Sequence, residues 1–195
     1  MKLKKILTLM CCAVLLVCIS VGATVAYLTS QDSVTNTFTV GKVKITLDEL
    51  DVDNSTEGEN DRDQANAYHL LPSTSYEKDP TVHVEADSEN SWLFVKVENG
   101  IADIETTDTT KTIAAQIAAN NWTALDGVAN VYYKSYTKQD TVKDEVVFST
   151  FEIAGNVSNA TIDQYTDAEI VITAYAIQAQ GLETAAEAWT AGGWN

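Results

Sequence analysis

Apolar and polar residues alternate along much of this chain. Val43, Ile45 and Leu47 are interleaved with Lys42, Lys44 and Thr46, a period-two pattern that turns one face of a strand inward and leaves the other wet. The same pattern predicts strands over 82–86, 93–97, 131–136, 146–153 and 170–179. In the second of these, Leu93, Val95 and Val97 share one face, and Trp92, Phe94 and Lys96 the other. Pro80, Asn99-Gly100, Asp126-Gly127, Gly155-Asn156 and Gly181 separate the runs, all residues that favour turns. Helical spacing is confined to 111–119, with Ile113, Ala114 and Ile117 on one side, and to 182–189, an alanine-rich segment directly after Gly181. Short strands with few helices predict a mainly β fold, a jelly-roll-like or Greek-key β-sandwich with one or two short helices.

The first forty residues follow another rule. Lys2, Lys4 and Lys5 precede an uncharged run from Ile6 to Leu28, the basic head and apolar body of an export signal. The run thins into Ser20, Gly22, Ala23, Thr24 and Ala26, and Thr24-Val25-Ala26 places small side chains where a signal peptidase requires them. Residues 1–26 are therefore expected to be a signal peptide cut after Ala26, which leaves an arm at 27–40 and a single sandwich domain at 41–195. Because roughly 20 apolar residues suffice to span a bilayer, the alternative is a retained anchor, and the membrane enters only through that uncleaved signal. Cys18 follows Val17, where a lipoprotein signal takes Gly, Ala or Ser. All three cysteines (Cys11, Cys12 and Cys18) lie in the apolar run, so the expected mature chain has no thiol, disulfide or cysteine metal site.

Charge narrows the partners. The chain carries a net −16, and cleavage would remove three lysines and no acid. Nucleic acid is excluded as a partner, because binding a phosphate backbone depends on basic groups that displace counterions. Much of the acid lies in 48–64, "DELDVDNSTEGENDRDQ", too polar to build a core and expected to be an exposed loop. Its oxygens make Asp51, Asp53 and Glu57 candidate ligands for calcium, the one cofactor the composition suggests. The EF-hand spacing fails, since Thr56 stands at the turn glycine and Arg62 at the closing glutamate, counting from Asp51.

Catalytic signatures are missing. His69 and His83 are the only histidines, and neither lies in an H-E-x-x-H motif; His83 and Glu85 share a strand face, two groups where a zinc shell needs more. No nucleophile elbow, P-loop or dinucleotide turn occurs. Leu71-Pro72-Ser73-Thr74 departs from a sortase signal at Ser75, and neither an apolar tail nor a basic end follows. Trp92, Tyr132, Tyr133, Tyr136, Trp189 and Trp194 are read as core aromatics, with sugar stacking as the alternative.

Several stretches together resemble a known family. The junction "GATVAYLTS", then "TNTFTVGKVKITLDE", the block "LLPSTSYEKDPTVHVEADSENSWLFVKVENG" and the closing "ITAYAIQAQGLETAAEAW" are similar to the SipW-dependent exported proteins of Gram-positive bacteria, the family of TasA and camelysin. Ala26-Tyr27 matches the family's cleavage junction, and Phe38, Gly41, Val43 and Ile45 match its first strand. The family's proline turn usually carries glycine where this chain has Ser73. The resemblance implies processing by a SipW-type signal peptidase and secretion to the cell surface or extracellular (biofilm) matrix. It also implies a structural, non-enzymatic protein that self-associates into fibres by donating its N-terminal strand. Leu28, Val34, Phe38 and Val40 would be the apolar anchors of that strand. The alternative within the family is a camelysin-like neutral metalloendopeptidase, whose zinc would need carboxylate ligands beside His69 and His83.

Overall fold

In the computed structural model, the described residues are 3–6, 8, 10, 11, 13, 41–53 and 61–194. The chain divides into two units, Met1–Thr39 and Val40–Asn195. Of the first, the described residues are helical and expose Leu3, Ile6 and Met10. Among the described residues no helix is long and apolar enough to cross a membrane. The junction residues Ala26 and Tyr27, the arm residues Leu28, Val34, Phe38 and Val40, and Glu57 lie outside the described residues.

The second unit is mainly β, with ten strands in three antiparallel sheets among the described residues. One sheet runs in the order β2 (Arg62–Asp63), β1 (Ile45–Leu50), β4 (Thr81–Val84), β8 (Lys143–Val146). The other runs β10 (Ile170–Gln178), β5 (Ser91–Asn99), β7 (Val131–Tyr136), β6 (Thr123–Ala124), and β3 (Ser75–Glu77) pairs with β9 (Thr150–Glu152). Between the two larger sheets lies a core built from Val82 and Val84 of β4, Leu93, Val95 and Val97 of β5, and Phe148, Phe151 and Ile153. The alternation seen in the sequence thus becomes a sandwich: each strand contributes its apolar parity to one shared interior.

β5 is apolar on both parities, and both are used. Its other face carries Phe94, fully buried in a second cluster with Ala185, Ala188 and Trp189. These last belong to the helix Ala185–Gly192 (α3), which lies over the outer face of the β10-β5-β7-β6 sheet. α3 starts later than 182 because Thr184 caps it: the Thr184 hydroxyl accepts from Glu187 N–H, while the Glu187 carboxylate accepts from Thr184 N–H, a reciprocal capping box. Gly193 ends the helix at φ 67°, the left-handed cap that glycine adopts without strain.

The helix Ile113–Ala119 (α1), capped by Thr112, buries Ile113 and Ile117 in the main core. A third helix, Asn159–Ile162 (α2), continues into a 3₁₀ turn at Asp163–Tyr165; its short polar sequence carries no apolar period to announce it. Ser73 sits at φ 56°, the conformation that favours glycine, so serine occupies a glycine-type turn after Pro72.

Two expectations need correction. The strand expected over 146–153 is broken at Val147–Ser149 into β8 and β9. Gln116 of α1 reaches into the break: its Oε1 accepts from Ser149 and Thr150 N–H, and its Nε2 donates to Thr150 C=O. Asn120 Nδ2 donates to Val147 C=O at 3.2 Å. Side-chain amides satisfy backbone groups here that a continuous ladder would otherwise pair. The acidic stretch 48–64 is likewise not all loop. Its ends pair as β1 and β2, Glu49 opposite Asp63 and Leu50 opposite Arg62, and Glu49 is buried.

Candidate functional site

Strand β10 forms the edge of its sheet. It is hydrogen-bonded to β5 along its whole length, Ile170 opposite Asn99 through Gln178 opposite Ser91, and among the described residues no strand pairs with its outer side. Strand β1 has a similar opening: β4 covers Ile45–Asp48 on one side, while β2 covers the other side only at Glu49 and Leu50. These two edges, one from each sheet, approach without pairing and leave a groove of about 1080 Å³ between them. Five consecutive residues of each strand line it, Ile45 to Glu49 and Ile170 to Ala174, a run of about 16 Å at strand rise.

The groove lining mixes apolar and polar side chains. Ile45, Leu47, Tyr68, Leu70, Ile170, Ile172 and Ala174 are half-buried against the main core. An unpaired edge is a row of open donors and acceptors, and two edges facing a shared apolar floor can accept an extended chain that supplies both main-chain bonds and alternate apolar side chains. On the rim stand Asp48, Asp63, Asp163 and Glu169.

At one end an ion network holds β2 against β1. Asp48 is hydrogen-bonded to Arg62 Nε, and Arg62 also contacts Asp79 Oδ2 at 3.0 Å and the carbonyls of Asp48 and Asp79. Asp79 Oδ1 accepts from Leu50 N–H at 2.6 Å. His83, on β4, places Nε2 2.9 Å from Asp48 and Nδ1 2.6 Å from Asp144. Burial opposes charge on His83, but the hydrogen bonds to Asp48 and Asp144 outweigh it and raise the imidazole pKa. Burial likewise opposes charge on Asp48, and Arg62 and His83 more than offset it, holding the carboxyl below its ordinary range. Burial foremost, then the carboxylates of Glu49, Asp53 and Asp79, pushes the Tyr68 phenol up.

Beside this network lies a second, buried one. Lys78 Nζ meets Glu49 Oε2 at 2.5 Å, with side-chain exposures of 9% and 6%. Asn66 Nδ2 donates to the other oxygen, Oε1, at 3.0 Å.

Of the residues singled out from sequence, His83 is committed to two aspartates rather than to Glu85, which pairs with Lys44. His69 is exposed, and its carbonyl accepts from Tyr76 Oη. Asp53 accepts from Ala67 N–H at 2.6 Å, and Asp51 N–H donates to Asp61 C=O. Among the described residues no three His, Cys, Asp or Glu side chains gather as a metal shell. The aromatics pack on one another: Trp189 lies 5.3 Å from Phe94, 5.5 Å from Tyr175 and 5.4 Å from Trp194, and Trp92 edges onto Tyr133.

Sequence reasoning missed Arg62, Glu49, Lys78 and Asn66. One signal was present for Arg62, the single cation within seventeen mostly acidic or polar residues; isolated in such company, a cation is a natural hub for carboxylates. No protein-family model, curated protein or solved structure matches the chain.

Proposed function

We propose that this chain is an exported structural protein of the cell surface or extracellular matrix, assembling into fibres when the arm of one copy occupies the β1/β10 groove of the next. The observation that carries this reading is the pair of strand edges, open among the described residues, that face each other across a groove with apolar lining. Occupancy would add main-chain hydrogen bonds to an open edge and bury apolar surface, the two terms that drive strand addition.

The arm has the matching pattern. Leu28, Val34, Phe38 and Val40 fall on even positions, one face of an extended strand, while Thr35, Thr37 and Thr39 fall on the other. The arm holds one acid, Asp32, which suits it to an acidic rim. Addition of this kind is head-to-tail and does not close, so it propagates into a filament. Copies this acidic repel one another, and salt screens that repulsion within about 10 Å at 0.1 M, so assembly is expected to strengthen with ionic strength.

The test compares chain beginning at Tyr27 with chain beginning at Gly41, by electron microscopy and sedimentation across a salt series. Filaments from the first and monomers from the second are expected, as is loss of filaments when Ala174→Phe fills the groove in otherwise folded protein. Filaments from chain lacking the arm would overturn the reading.

A further inference from the structure

Lys78, Glu49 and Asn66 stand in the wall of the groove, Lys78 and Glu49 buried and Asn66 half-buried, and their arrangement suits a reaction. A primary amine and a primary carboxamide sit on the two oxygens of one carboxylate: Nζ at 2.5 Å from Oε2 and Nδ2 at 3.0 Å from Oε1. The Asn66 amide is fixed in orientation, because Nδ2 also donates to Leu50 C=O at 2.8 Å and Oδ1 accepts from Val52 N–H at 2.8 Å. The Tyr68 ring lies 5.8 Å from Nζ on its centroid. As a stabilising device the arrangement is poor, since desolvating two charges offsets most of what their pairing returns, and apolar residues of like volume do as well or better. As a reactive centre it brings an amine and a carboxamide onto one shared carboxylate.

We propose that Lys78 and Asn66 join through an intramolecular isopeptide bond, with Glu49 carrying the protons. Across their 2.5 Å contact Glu49 takes a proton from Nζ and leaves a neutral amine. The Nζ lone pair attacks Asn66 Cγ, and negative charge develops on Oδ1, where the Val52 N–H already points. Glu49 delivers its proton to Nδ2 as the Cγ–Nδ2 bond breaks, then takes the second proton from Nζ. Ammonia departs, carrying that proton away as ammonium and restoring the carboxylate. Amine and primary amide become secondary amide and ammonia, with no oxidant, metal or nucleotide required. Holding the two groups on one carboxylate supplies the proximity that makes so slow a reaction intramolecular. The product closes residues 66–78 into a ring. Ala67, Tyr68, His69 and Leu70, which line the groove, lie within it, so the bond fixes the groove wall to the end of β3.

The experiment is intact-mass spectrometry of the purified chain, followed by tryptic mapping, for the native sequence and for Glu49→Gln. The native protein is expected to be lighter than its sequence by one ammonia. Trypsin is expected to leave Lys78-Asp79 uncut, giving a peptide from Asp63 to Lys96 with no backbone fragments released between Asn66 and Lys78. Glu49→Gln is expected to show its full sequence mass and a cut after Lys78. Native protein at full mass, with Lys78 cut, would overturn the proposal. So would loss of ammonia with Lys78 cut, because that places the loss at an asparagine or glutamine acting alone. An intact cross-link in Glu49→Gln would overturn the role given to Glu49.

Discussion

Removing the Trp189 ring tests the claim that the C-terminal helix is a structural layer rather than an appendage. Trp189 is 7% exposed and touches Phe94, Tyr175 and Trp194 at ring separations of 5.3 to 5.5 Å. An aromatic side chain buries about 150–250 Å², which at about 25 cal/mol per Å² corresponds to about 4–6 kcal/mol. Truncations of buried Trp to Ala cost about 3–5 kcal/mol where the site collapses only partly. We therefore expect Trp189→Ala to lower unfolding free energy by about 4 kcal/mol. Its cavity is rimmed by three other rings that cannot close over it without leaving their own contacts. Trp194→Ala, which removes a half-buried ring, should cost about half as much on the same area scale. The assay is urea unfolding followed by far-ultraviolet circular dichroism, because the substitutions change fluorescence directly. The urea slope should stay unchanged, since the same surface is exposed on unfolding. A loss below about 1 kcal/mol, the level of an ordinary surface contact, would refute the reasoning by showing that α3 is not seated on the sheet.

Two further outcomes follow from the site and from its support. His83 has a raised pKa, so its contribution is complete below its ordinary value of 6.5 and fades as pH climbs through the folded value; Asp48 has a lowered one, so its contribution is complete above 3.8 and fades as pH falls through the folded value. Stability measured by thermal unfolding should therefore plateau between these limits, and His83→Gln should remove the decline on the alkaline side and weaken the acid side to the part that Arg62 supplies. Gln116→Ala strips the partners from Ser149 and Thr150 N–H and from Thr150 C=O, and should cost about 2 kcal/mol with faster amide exchange confined to the β8–β9 break.

The strands were legible wherever one parity met the core. β7 runs from Val131 to Tyr136 as its alternation requires, and β10 ends one residue short of expectation at Gln178. The double-sided pattern of β5 is explained only by two layers, of which the second comes from α3, over eighty residues away in sequence. The break at 147–149 was hidden because its cause is a glutamine on a helix, and apolar period carries no record of which backbone groups a distant amide satisfies. Counting acids identified 48–64 as polar, yet pairing Arg62 with Asp48 and Asp79 folds its ends into strands. The groove is the least legible feature: it exists because β1 and β10, at opposite ends of the domain, become neighbours across the sheets, and no local stretch encodes that adjacency.

Strand β10 is a partition with a different tenant on each side. Ile170, Ile172 and Ala174 look into the groove, while Tyr175 and Ile177, on the other parity, seat Trp189 and Trp194. Any chain that docks along β10 must shift or stiffen a strand whose reverse side is a fluorophore nest. The protein thus carries its own optical gauge, in which a change of native indole emission on mixing would time filament growth without a dye.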